Sequence, residues 1–184
     1  MPTRRSILEA ASGLLLGTVI REVRAAQRSA RVLEIHMRSD TTGAVVGFDP
    51  VGVLLEPGTI VRWVCDANVH TTTAYSPSNA NHSQRIPLAA KPWDSGFLMP
   101  GQHFEVRLSV EGVYDYYCTP HEQAGMVGRL VVGRPSGPGA LPFDYFTSQG
   151  KHWSPVPPAA QKAFSSIDAI MKRRVIPSAR NFSA

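Results

Sequence analysis

The sequence predicts an all-β protein: a Greek-key β-sandwich or barrel with a short C-terminal helical extension. Three observations carry this. Apolar and polar residues alternate over several short runs, the pattern of strands with one face in the core and one in water. Turn residues separate those runs at close spacing, as in sandwiches and barrels. The 184 residues include 15 glycines and 15 prolines, which favour turns and short strands over long helices.

In chain order, residues 1–25 read as an export signal. Thr3-Arg4-Arg5-Ser6-Ile7-Leu8 sets adjacent arginines before a mildly apolar stretch that ends in the small residues Ala25 and Ala26. This resembles a twin-arginine signal, cleaved near Ala25, and it implies a periplasmic protein. No apolar run approaches the roughly 20 residues that a spanning helix needs, so no integral membrane segment is expected in the mature chain.

Residues 26–133 read as the sandwich domain. Leu33, Ile35 and Met37 alternate with Glu34 and His36. Val61, Trp63 and Cys65 alternate with Arg62 and Val64, and Phe104, Val106, Leu108 and Val110 with His103, Glu105, Arg107 and Ser109. Glu56-Pro57-Gly58, Met99-Pro100-Gly101 and Glu111-Gly112 supply turns between them. Residues 76–94 are polar and interrupt the strand pattern; they read as an excursion over one end of the sandwich, with His82 on its surface.

Residues 134–184 read as a Pro/Gly linker and a C-terminal extension. Arg134-Pro135-Ser136-Gly137-Pro138-Gly139 is the linker, and Phe143, Tyr145, Phe146 and Trp153 make an aromatic loop. Pro157 and Pro158 then open a helix predicted over 159–174, since proline is tolerated in a first helical turn. Ala160, Phe164, Ile167, Ile170 and Met171 share one face of it, which predicts a cover packed on the sandwich.

Charge and composition exclude two classes. With 43% hydrophobic and 18% charged residues, the chain is too apolar for intrinsic disorder. The net charge of +5 sits at the ends: residues 142–184 hold six Lys/Arg against two acids, whereas residues 26–141 hold nine against ten. A nucleic-acid binder carries its basic stripe on the folded body, so no nucleic-acid partner is expected.

The chemistry lies in Tyr116-Tyr117-Cys118-Thr119-Pro120-His121-Glu122-Gln123-Ala124-Gly125-Met126-Val127-Gly128. A strand delivers Cys118, and one short loop holds His121 three residues on and Met126 eight on. His70, after the strand that ends at Cys65, is a fourth candidate. Two imidazoles and a thiolate in a plane, with a weak axial thioether, are the donors of a blue copper site. The opposing reading is a disulfide between Cys65 and Cys118, the two cysteines of the chain. Cys65, alternating with Trp63, reads instead as a buried strand residue.

These stretches resemble the cupredoxins, in particular the plastocyanin, pseudoazurin and amicyanin group. The resemblance rests on Val69-His70-Thr71-Thr72-Thr73, Trp93-Asp94-Ser95-Gly96-Phe97, Gly112-Val113-Tyr114-Asp115-Tyr116-Tyr117-Cys118-Thr119-Pro120-His121 and Gly125-Met126-Val127-Gly128, within residues 30–133. It implies one type 1 copper ion held by His70, Cys118, His121 and Met126. It also implies a Greek-key sandwich and transfer of single electrons between a redox protein donor and acceptor, through the His121 end. Thr71 stands where this group often has an asparagine that braces the copper loop, so the brace here must be a hydroxyl or backbone contact. Four ligands leave no open position for substrate, so no enzyme is expected. The alternatives are a copper chaperone or sequestering protein, an accessory copper subunit of a redox complex, or zinc in the same donors.

Overall fold

The computed structural model describes residues 31–183; the export signal read at residues 1–25 lies outside them. The alternating runs become strands, in chain order β1 (Val32–Ser39), β2 (Val46–Asp49), β3 (Gly52–Leu55), β4 (Thr59–Cys65), β5 (Thr73–Ala74), β6 (His103–Leu108), β7 (Gly112–Tyr117), β8 (Val127–Val132) and β9 (Val175–Ile176). They form two sheets, ordered β2-β1-β4-β6 and β5-β7-β8-β3-β9. β1 runs parallel to β4 and β3 parallel to β8, while the other pairs are antiparallel. The arrangement is an open two-sheet sandwich, not a closed barrel.

The period-two reading accounts for the inner face. Thr59, Val61, Trp63 and Cys65 of β4 are buried, and Ile60, Arg62 and Val64 are not. Ile35, Met37, Trp63, Tyr114, Tyr116, Leu130 and Val132 share one core. Tyr116 packs edge-on to Phe48 at 4.8 Å and to Trp63 at 5.3 Å. Its register partner is Gly128, where a Cβ would lie 2.2 Å from the Tyr116 Oη. The glycine is there because the ring needs its space. Tyr114 donates its hydroxyl proton to the Val110 carbonyl at 2.6 Å, closing a tyrosine corner.

β7 and β8 are buried on both faces, which alternation does not predict. Two segments cover their outer face, and each departs from the sequence reading. Residues 76–94 run along the edge of the sheet, not over the end of the sandwich. The Tyr75 amide donates to the Asp115 carbonyl, the Asp115 amide to that of Arg85, and the Arg85 amide back to that of Tyr75. His82 is consequently not a surface residue. Its side chain is 12% exposed, edge-on to Tyr75 and Tyr117, with Nε2 3.6 Å from Glu122.

The helix expected over 159–174 is two helices, α1 (Pro158–Ala163) and α2 (Ile167–Arg173). Phe164 is extended, and the Ser166 hydroxyl caps α2 by accepting from the Ala169 amide. Serine competes for backbone hydrogen bonds and favours caps over helix interiors, so the Ser165-Ser166 pair is a natural break. The break lets α1 set Ala160 against Tyr75, Tyr117 and Val127, while α2 sets Ile170 against Val113 and Val131. Met171 is left exposed.

The cover is also tied down by ions. Asp115, fully buried on the outer face of β7, accepts from Arg85 Nε at 3.1 Å and from Arg129 Nε at 2.7 Å. Arg85 donates further to the carbonyls of Gly139, Leu141 and Pro142, and Arg129 to that of Ser165. Phe143 lies 4.4 Å from the Arg85 guanidinium, and Phe164 lies 4.9 Å from that of Arg129. Removing either partner of such a buried pair strands a charge, so the extension is bound to the body by more than apolar contact.

Candidate metal centre

The strands deliver the four predicted residues to one end of the sandwich. β7 ends at Tyr117, and Cys118 follows it into a 3-10 helix, Thr119–Ala124. Pro120 fits there because the first turn leaves amides without intrahelical partners. Gly125 ends the helix with a left-handed φ of 73°, and the chain turns through Met126 into β8. The Cys118 amide donates to the Met126 carbonyl, and the Met126 amide to the His121 carbonyl. The loop is therefore closed by backbone bonds that fix the spacing of its three candidate ligands. His70 arrives from the other direction and is bridged to Leu98 by two backbone hydrogen bonds.

Three donor atoms meet. His70 Nδ1 lies 3.2 Å from His121 Nδ1, and Cys118 Sγ lies 3.6 Å and 3.4 Å from these two nitrogens. A metal at the centre, about 2.0 Å from nitrogen and about 2.3 Å from sulfur, requires edges of about 3.5 and 3.7 Å. The observed triangle is close to that size. Two imidazole nitrogens and a thiolate are also the donor set that suits copper in both oxidation states. The site fits the metal in composition and in scale. Met126 is fully buried in the same loop and belongs to the core cluster that includes Cys118.

Burial sets the protonation of these groups. His70 is fully buried; desolvation, and then the nearby His121, push its pKa down to about 4. Desolvation also lowers that of His121. Cys118 is pushed up to about 11 by burial, against which the amides of Thr71 and His121 work. Near neutral pH and without metal, burial thus favours the neutral imidazoles and the protonated thiol.

The braces around the triangle are legible only in part from the sequence. Thr71 braces the loop through both its amide and its hydroxyl, as expected of it. Its amide donates to Cys118 Sγ at 3.3 Å, and its Oγ1 accepts from the Thr119 amide at 2.8 Å. Thr73 Oγ1 joins Thr71 to Asp94. Ser39 carries no signal in the sequence: its Oγ lies 3.1 Å from His70 Nε2 and fixes the ring so that Nδ1 faces the centre. Nor does the sequence signal Glu122, which accepts from the buried Tyr75 hydroxyl at 2.6 Å. Cys65 and Cys118 are both free and buried, so there is no disulfide between them. Cys65 lies in the core, its thiol turned to the Asn68 carbonyl at 3.5 Å.

Comparison with known proteins agrees with this centre. Residues 35–133 match the family of copper-binding proteins described as the plastocyanin/azurin family. The chain is 30% identical over 95 residues to a plastocyanin of Scenedesmus fuscus, covering 50% of this chain and 90% of that protein. It is 29% identical over 108 residues to a pseudoazurin of Methylorubrum extorquens, covering 57% and 64%. A solved Sinorhizobium pseudoazurin superposes with a TM-score of 0.52 at 25% identity, covering 77% of this chain and 97% of that one. Fold, donor triangle and sequence thus converge, and the chain belongs to the plastocyanin/azurin family of copper-binding proteins.

Proposed function

We propose that this is an exported blue copper protein that carries single electrons between larger redox partners. The observation that supports it most is the closed triangle of His70 Nδ1, Cys118 Sγ and His121 Nδ1, edges 3.2 to 3.6 Å, already of metal-binding size. His70, Cys118 and His121 would hold the copper by the donor triangle, and Met126 by its thioether. Bound copper supplies the one-electron couple. The protein's part is to hold the donors still. Ser39 orients His70, the Thr71 amide steadies the sulfur, and Thr71 Oγ1 locks the loop at Thr119. Donors held in this way move little when the charge of the metal changes.

His121 is the half-buried ligand at the surface, whereas His70 is sealed. Electrons therefore enter and leave through the His121 end. Phe97 and Met99, 66% and 52% exposed, flank Leu98, the residue bridged to His70. Pro100, Pro120 and Ala124 are exposed as well, and these apolar residues suit a brief, small contact with a redox partner. The adjacent arginines Arg4 and Arg5 support export to the periplasm by a twin-arginine signal.

The test is the absorption spectrum and voltammogram of the oxidised, copper-loaded protein. An intense blue thiolate-to-copper band and a reversible one-electron wave are expected. A colourless protein that retains only zinc would overturn the reading.

A further inference from the structure

The ligand loop is gripped from outside by the C-terminal segment, and one side chain ties it to β2. Arg180 donates from Nη2 to the carbonyls of Ala124 and Gly125, at 2.9 and 3.0 Å. From Nη1 it donates to the Val46 carbonyl at 2.7 Å. Ala124 and Gly125 immediately precede Met126. Val46 is the β2 residue in register with Ser39, which holds His70. One guanidinium thus links the loop carrying Cys118, His121 and Met126 to the strand pair that orients the fourth ligand.

The rest of the tail places that guanidinium. The Ser178 amide donates to Asp49 Oδ1, and Arg38 lies over the Phe182 ring at 5.9 Å. Phe182 packs on Gly47, where a Cβ would come within 3.0 Å of its ring. α1 closes the same loop from the side. At Gly125 a Cβ would meet Arg180 Nη2 at 3.1 Å, Ala163 Cβ at 3.2 Å and the Ala159 carbonyl at 3.3 Å. The loop therefore turns at a glycine for two reasons, the left-handed backbone and the nearness of the clamp.

We propose that Arg180 is a positioning residue of the metal centre: by pinning the carbonyls of Ala124 and Gly125 to β2, it fixes the distance of the Met126 thioether from the plane of the other three donors. A planar fork suits this, because it satisfies three carbonyls from one rigid group, whereas a lysine ammonium on a flexible stem holds them less firmly. The proposal rests on Met126 as the axial ligand.

Arg180→Lys and Arg180→Met test it by two readouts. In the metal-free protein, hydrogen exchange is followed at the amides of Gly125, Met126 and Val127. Loss of a charge-assisted bond is expected to speed it roughly tenfold in Arg180→Lys, and further in Arg180→Met. Core amides such as Val61 and Leu130 keep their protection. In the copper-loaded Arg180→Lys protein, whose charge is unchanged, the reduction potential is expected to rise, because a loosened thioether donates less to the oxidised ion. Faster exchange with an unchanged potential would reduce Arg180 to a structural tie and overturn the positioning role. Unchanged exchange would overturn the clamp itself. A wild-type protein that fails to turn blue would count against the copper reading and leave the exchange result standing.

Discussion

At the scale of single residues, the triangle divides labour between donors and braces. In the proposed centre Cys118 would supply the thiolate on which a blue band depends, while the core has other apolar residues to hold it together. Cys118→Ser is expected to abolish the colour and keep a cooperative unfolding transition by circular dichroism; a blue Ser variant would remove Cys118 from the ligand set. Met126→Leu should keep copper and raise the reduction potential in voltammetry, since a lost thioether destabilises Cu(II) more than Cu(I). Thr71→Val tests the brace. It deletes the hydroxyl that accepts from the Thr119 amide, at nearly constant volume. Leaving that amide unpaired should cost about 1–3 kcal/mol, read from a denaturant midpoint. Fluorescence or circular dichroism gives the same midpoint if no such role exists.

At the scale of elements, β7 is the strand on which the rest depends. Its inward residues Tyr114 and Tyr116 belong to the core, and its outward residues Val113, Asp115 and Tyr117 meet the covering segments. Cys118 then leaves its end. Its pairing with β8 is exacting at one position, because the Tyr116 ring occupies the space of a side chain at Gly128. Gly128→Ala is expected to destabilise the fold by about 1–3 kcal/mol or more, as overpacking of a filled core does. The thermal midpoint should fall accordingly. Tyr116→Phe in the same chain relieves the closest of the contacts and should recover part of the loss.

At the scale of the whole molecule, residues 134–183 behave as part of the sandwich. They bury the outer faces of β7 and β8 and satisfy two buried arginines that share Asp115. Truncation after Gly133 would partly expose Tyr75, Tyr117, Val127, Val113 and Val131, at up to about 1.5–3 kcal/mol for each large apolar side chain. It would also remove the carbonyls that Arg85 and Arg129 bind. A much lower thermal midpoint is therefore expected, with the loss little changed by added salt, since the Arg85–Asp115–Arg129 group is buried and poorly screened. A truncated protein that melts with the full chain would show the extension to be a passive appendage.

The sequence by itself determined the sandwich, its inner face and the metal loop. Strand alternation is a local signal, and Cys118, His121 and Met126 lie within nine residues on one turn of chain, so their chemistry is readable from spacing. The tertiary structure alone decided what surrounds them. Ser39 reaches His70 across 31 residues, and Arg180 reaches Gly125 across 55. The polar stretch at 76–94 looked solvated because its partner Asp115 is a lone acid in an otherwise apolar strand, with no local sign of burial. The helix break has a local signal in Ser165-Ser166, but the two apolar clusters that the two helices serve are set only by the packing. Contacts between distant segments depend on how the sheets pack, and periodicity along the chain carries no record of that.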